Sequence, residues 1–274
     1  MLVCGNFRFS LSRPLIMGIV NVTPDSFSDG GRHATRDVAV SHALRLIEEG
    51  VDILDIGGES TRPGAQPASL DEELRRVIPV VEALRGKDVP LSVDTCKPEV
   101  MRAALAVGAD MINDVNALRA EGALEAVAAS QAAVCLMHMR GEPRTMQVAP
   151  EYGDVVGEVL AFLQERIAAA EAAGIARERL TVDPGFGFGK TLEHNVELLR
   201  RLDRFQELGV PVLAGLSRKS MLGALTGLEV GERLIPSVAA AVIAALKGAK
   251  IIRVHDARAT RQALQVVEAM EGGK

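Results

Sequence analysis

Four side chains spread along this chain could together grip a flat, polar heterocycle. Asp94, Asn113, Asp183 and Lys219 form a mixed set of acceptors and donors. Carboxylates take ring N–H and exocyclic amine protons, while an amide and an ammonium supply donors to a carbonyl oxygen and a ring nitrogen. A second set is cationic. Arg62, Arg253 and His255 could hold a phosphate or pyrophosphate, with the arginine fork adding geometric specificity. Asn21 offers an amide oxygen, a suitable ligand for a hard cation such as Mg²⁺, which takes one or two protein ligands beside phosphate and water. Each residue also has a plainer reading alone. Asp94 could cap a helix starting near Pro98, Asp183-Pro184 could be a turn, and Arg253 with His255 could be a surface pair. Taken together, those readings leave unexplained why all these groups follow apolar runs.

The runs are the elements that must position them. Strand-like segments occur at Ile16–Val20, Ile53–Ile56, Leu91–Val93, Met111–Asn113, Ala133–Met137, Leu180–Val182, Val212–Ala214 and Ile251–Val254. Helical spacing of apolar residues lies between them, at Asp37–Glu49, Leu70–Arg85, Glu99–Val107, Ala123–Ser130, Val155–Ala173, Leu192–Glu207, Ile235–Lys247 and Asp256–Met270. Strands separated by helices run parallel. Eight such units predict an α/β fold, a closed (β/α)8 TIM barrel. A doubly wound open sheet is the alternative. Leu2 to Ser12, with Val3, Phe7, Phe9 and Leu11 around Gly5-Asn6, reads as a short N-terminal β-hairpin plugging one end. Residues 1–274 contain no Pro-, Gly- or Ser-rich linker and are read as a single domain. In a barrel the active site lies at the carboxyl ends of the strands, where the candidate residues fall.

Composition narrows the function classes. The chain has 274 residues, 48% hydrophobic and 24% charged, with a net charge of −5 and no basic run. Nucleic-acid binding is not expected. The longest apolar run, Val238 to Leu246, is too short to span a bilayer, and no signal-peptide pattern is evident. Cys4, Cys96 and Cys135 show neither metal spacing nor a disulfide framework, which suits reduced thiols and a cytoplasmic setting. His33, His42, His138 and His194 show no metal-ligand spacing and read as solvated or packing residues. Lys190 reads as an exposed lysine at a helix start. The two phenylalanines of Gly185-Phe186-Gly187-Phe188-Gly189 suit walls for an aromatic ligand. There is neither a nucleophile elbow nor a phosphate-binding P-loop.

Seven segments then match one family in order: NVTPDSFSDGG at 21–31, GGESTRPG at 57–64, SVDT at 92–95, IND at 112–114, DPGFGFGK at 183–190, GLSRKS at 215–220 and RVHD at 253–256. They resemble dihydropteroate synthase over nearly the whole chain. The resemblance implies joining p-aminobenzoate to a 7,8-dihydropterin-6-ylmethyl diphosphate, with release of dihydropteroate and pyrophosphate. By the same resemblance, Asp94, Asn113, Asp183 and Lys219 hold the pterin, and Asp94, Asp183 and Lys219 serve catalysis. Thr61, Arg62, Arg253 and His255 face the diphosphate, Asn21 contacts Mg²⁺, and Asp25, Phe27, Pro63, Phe188 and Ser220 close over p-aminobenzoate. The aniline nitrogen needs no strong base, so a dissociative, SN1-like displacement is expected, with the two aspartates stabilising the cationic carbon. The rivals are a pterin-binding corrinoid methyltransferase, which needs no pyrophosphate site, and a non-catalytic pterin-binding protein. The nearly all-apolar helix at Pro236–Lys247 suits a homodimer interface, which the resemblance also implies.

Overall fold

The computed structural model describes residues 1–23, 32–60, 66–141, 145–148 and 150–271, with 32–35 and 271 described by their backbone alone. Two short strands, β1 (Leu2–Cys4) and β2 (Phe7–Phe9), pair antiparallel as the predicted hairpin. Eight strands follow: β3 (Leu15–Asn21), β4 (Ile53–Gly57), β5 (Leu91–Asp94), β6 (Met111–Asp114), β7 (Ala133–Met137), β8 (Leu180–Asp183), β9 (Leu213–Ala214) and β10 (Ile251–Val254). They are all parallel, in the order β8-β7-β6-β5-β4-β3-β10-β9. The two edges meet through one bridge, Val182 to Val212, with Val182 N donating to the Pro211 carbonyl at 3.0 Å. The barrel is therefore nearly closed, as the eight apolar runs predicted.

Strand period sorts the side chains into two cores. Ile16, Val20, Leu54, Ile56, Val93, Ile112, Val134, Leu136, Val182 and Ile252 face the surrounding helices and join their apolar faces in one cluster. Burying each such side chain contributes roughly 1.5–3 kcal/mol. The alternate residues Leu15, Met17, Ile53, Met111, Ala133, Cys135, Leu213 and Ile251 fill the barrel interior, together with Leu2 and Cys4 of the hairpin. Cys4 Sγ also donates to the Asp110 carbonyl, just before β6. The hairpin thus closes the amino-terminal end and leaves the other end for polar groups.

The helices are α1 (Arg32–Glu48), α2 (Leu70–Leu84), α3 (Pro98–Val107), α4 (Ala123–Ala128), α5 (Val155–Ala172), α6 (Leu192–Arg200), α7 (Ser220–Thr226), α8 (Leu234–Leu246) and α9 (Ala257–Glu271). Ser69 caps α2 by accepting from Glu72 N, and Thr191 and His194 form a reciprocal capping box on α6. Two segments depart from the sequence reading. The helix expected over Leu192–Glu207 ends at Arg200 and continues as a 3-10 turn over Leu202–Leu208. Leu202, Phe205 and Leu208 are buried and recur every third residue, which is the 3-10 period. The short α7, which buries Met221 and Leu222, was not expected.

Candidate active site

The polar groups begin one layer above the apolar interior. Asp55 points inward from β4 and is fully buried. It accepts hydrogen bonds from Ser92 Oγ at 2.6 Å, Asn113 Nδ2 at 3.1 Å and Arg253 Nε at 2.6 Å. Arg253 also donates from Nη2 to Asp94 Oδ2 at 2.8 Å, so one guanidinium ties two carboxylates from neighbouring strands. Such charge-assisted bonds are roughly twice as strong as neutral ones. Asn113 spends one amide proton on Asp55, which leaves its second N–H and its carbonyl oxygen for other partners.

Register places the next layer. Asn21, Gly57, Asp94 and Asn113 pair in one row across β3 to β6, so their inward directions coincide. Asn21 is half-buried at the carboxyl end of β3. A Cβ at Gly57 would stand 3.5 Å from Asp94 Cβ, and one at Gly215 would stand 3.8 Å from Asp183 Oδ2 and 3.9 Å from Arg253 Cβ. These two glycines leave open a slot walled by Asp94, Asp183 and Arg253.

The slot's charges perturb one another. Burial pushes the Asp94 carboxyl up to about 7; Arg253 opposes the shift, and Asp55, Glu73 and Asp114 add to it. Asp183 is also raised by burial, against the pull of Lys219, while its Oδ1 accepts from Gly185 N at 2.7 Å. Lys219 is lowered to about 8 by burial, with Asp183 opposing. Both kinds of group therefore change charge near neutrality, as functional sites often do. Lys219 donates to the Phe186 carbonyl and lies 4.7 Å from the Phe188 ring centre.

The segment Ser217-Arg218-Lys219-Ser220 divides its work. Ser217 Oγ lies 3.0 Å from His255 Nδ1 and accepts from His255 N at 3.2 Å. Arg218 takes the left-handed φ of 58°, which disfavours a side chain. Its guanidinium grips Asp256 at 3.0 and 2.6 Å, and its backbone N–H reaches Ser237 Oγ at 2.9 Å. This bracing sends Arg218 away from the slot and Lys219 toward it. Ser220 is exposed at the start of α7.

The structure thus brings together Asp94, Asn113, Asp183, Lys219 and Arg253, with Phe188 against Lys219 and Asn21 in the same row. Asp25, Phe27, Thr61, Arg62 and Pro63 lie outside the described residues. Two expectations need correcting. Lys190 is buried rather than exposed. Its ammonium finds polar partners in the ends of β7 and the glycine-rich segment, which only the fold brings together. Phe186 is fully buried in the outer core, so only half-buried Phe188 can wall a ligand. His138 is one of the packing histidines the sequence allowed: it is buried, with its ring T-shaped against Phe162. Sequence reasoning also left Asp55 without a role, although an aspartate at an inward position of an apolar run was a visible signal. It missed Lys97, which donates to Glu59 and to buried Glu73 and so ties Glu59, beyond the end of β4, to α2.

A parallel barrel with a polar slot at its carboxyl rim is the site architecture of a TIM-barrel enzyme. Residues 17–255 match the family described as "Pterin binding enzyme". The dihydropteroate synthase of Escherichia coli (strain K12) is 56% identical over 265 residues, covering 96% of this chain and 94% of that one. A structure of Xanthomonas albilineans dihydropteroate synthase with 4-aminobenzoic acid is 61% identical, with a TM-score of 0.91, covering 96% of this chain and 95% of that one. Another, from Burkholderia cenocepacia and complexed with 7,8-dihydropteroate, is 53% identical with a TM-score of 0.90, covering 99% and 96%. The chain belongs to the dihydropteroate synthase family.

Proposed function

We propose that the slot binds the dihydropterin ring of (7,8-dihydropterin-6-yl)methyl diphosphate and that p-aminobenzoate attacks its methylene carbon. The observation that carries this reading is the inward pair Asp94 and Asn113, with the Arg253 guanidinium bonded to Asp94 and with Asp183 and Lys219 close by, around the space left by Gly57 and Gly215. Ionised Asp94 and Asp183 accept ring and amine protons, and Lys219 donates to a ring acceptor. Unmatched ligands are rejected because the buried groups would be left unpaired.

The C–O bond to the diphosphate breaks first, and pyrophosphate leaves with the electron pair. The methylene carbon becomes cationic, conjugated with the pterin, and the two aspartates stabilise that charge. The aniline nitrogen forms the new C–N bond and then loses its proton. Thr61, Arg62, Arg253 and His255 take the diphosphate, and Asp25, Phe27, Pro63, Phe188 and Ser220 enclose p-aminobenzoate. Closure over the slot keeps water from the cation. Asn21, half-buried at the carboxyl end of β3, supplies one hard oxygen of the kind Mg²⁺ takes beside phosphate and water. When bound, the ion neutralises charge on the leaving diphosphate.

We read residues 1–274 as one domain acting in the cytoplasm, consistent with three free cysteines. Among the described residues no helix is long and apolar enough to cross a membrane. Leu234, Ile235, Ile243 and Leu246 of α8 are exposed, Ile235 by 79%, with Leu225 and Val230 nearby in sequence. This apolar face supports a homodimer, and a monomer mass at micromolar concentration in sedimentation would refute it. The deciding assay for function is pyrophosphate release that requires both substrates and Mg²⁺. Release without p-aminobenzoate, or none at all, would overturn the reading.

A further inference from the structure

Lys190 is 2% exposed, and no step above uses it. A buried ammonium is costly unless its three protons find acceptors. This one finds three close partners, the Gly185 carbonyl at 2.9 Å, the Phe188 carbonyl at 3.0 Å and His138 Nδ1 at 3.0 Å, with the His138 carbonyl farther off at 3.5 Å. Burial also lowers the Lys190 pKa well below its ordinary value, with Asp183 opposing, and it is the set of surrounding acceptors that favours the charged form. Burial, followed by the charge of Lys190, pushes the His138 pKa down to about 2, so the neutral imidazole can accept.

The need for such a fastening is visible in the glycines. A Cβ at Gly185 would stand 1.9 Å from the His138 carbonyl oxygen, and one at Gly189 would stand 2.2 Å from the Arg140 carbonyl oxygen. Both have left-handed φ, +72° and +66°. The segment therefore lies backbone against backbone on the end of β7, where it cannot use side chains at those positions to hold itself. It also carries two groups of the slot: the Phe186 carbonyl that receives Lys219, and the Phe188 ring beside Lys219. Asn195 braces the far side, accepting from Gly187 N at 2.7 Å and donating to the Thr191 carbonyl at 2.6 Å.

We propose that Lys190 is a positioning residue whose ammonium bolts the Gly185–Phe188 turn to the end of β7 and thereby sets Lys219 and Phe188 at the mouth of the slot. This rests on the functional reading above. The test compares the intact protein with Lys190→Ala, in which a hole the size of an alkylammonium opens among the three acceptors. Steady-state kcat and KM for both substrates are measured with and without methylammonium, using tetramethylammonium at equal ionic strength as the control. The expected result is a fall in kcat/KM for the dihydropterin diphosphate of about tenfold or more, with methylammonium, but not tetramethylammonium, recovering several-fold. Because Lys190→Ala could fail to fold, His138→Leu, which removes one acceptor and leaves the ammonium, is measured beside it. It should lower kcat/KM about threefold or more. Unchanged kcat/KM in either folded variant, or a loss in Lys190→Ala that methylammonium leaves untouched, overturns the proposal. An inactive wild-type protein would instead refute the functional reading.

Discussion

Asp55 offers a direct test of how the slot is held, because two substitutions separate its shape from its charge. Asp55→Asn keeps the shape. Its amide nitrogen can take the Oδ1 place and donate to Ser92 Oγ, since a hydroxyl both donates and accepts. The remaining carbonyl keeps the Oδ2 place and still accepts from Asn113 and Arg253, at 3.1 and 2.6 Å in the wild type. What is lost is the charge. A bond to a charged group contributes about 1.5–3 kcal/mol and a neutral one about 0.5–1.5, so the Asn variant loses about 1–1.5 kcal/mol from the hold on Arg253. At about 1.36 kcal/mol per decade this is roughly a 5- to 13-fold weakening, to be read in KM for the dihydropterin diphosphate. Asp55→Leu removes the acceptor altogether and strands three buried donors. Breaking a buried pair costs about 3–5 kcal/mol, and Arg253 keeps Asp94, so about 3 kcal/mol of stability should be lost in urea unfolding. The pH profile gives an independent reading. The Asp55 charge helps to raise the Asp94 pKa. Its removal should let Asp94 ionise more readily and move the acid limb of kcat/KM to lower pH. If the Asn and Leu variants share the wild-type KM and midpoint, Asp55 does not organise the slot.

Two further predictions follow from the same geometry. For the wild type, kcat/KM for the dihydropterin substrate should be bell-shaped: it rises as Asp94 ionises near 7 and falls as Lys219 loses its proton near 8. A profile flat from pH 6 to pH 9, about the range bracketing both groups, would refute these assignments. Gly215→Val puts its Cβ at ordinary contact distance, 3.8 Å from Asp183 Oδ2, so the barrel should fold. Its methyls would overfill the slot at a cost of about 1–3 kcal/mol, raising the pterin-substrate KM roughly 5- to 150-fold; an unchanged KM would place the ring elsewhere.

What could be read from the chain was set by whether the cause is local. A strand announces itself by its own apolar run, and Asp94, Asn113, Asp183 and Arg253 each sit at or near the end of one. Eight apolar runs, most of them ending in a polar group, therefore predict both barrel and rim. The 3-10 turn at Leu202–Leu208 was hidden because its spacing of three is also compatible with one face of an α-helix. Lys190 was hidden for a different reason. Its neighbours Gly189 and Thr191 mark a loop running into a helix, the usual place for an exposed lysine. Its acceptors include a ring 52 positions earlier in the chain. Asp55 lies between these cases. Its inward parity was legible, but its partners arrive from β5, β6 and β10, and only register decides which of them it meets. The groups proposed to touch ligand stand at strand ends, whereas the groups that hold them draw their partners from other strands. The first kind leaves a mark along the sequence. The second is fixed by the closure of the barrel, which is why Asp55 and Lys190 became interpretable only once the strands were in place.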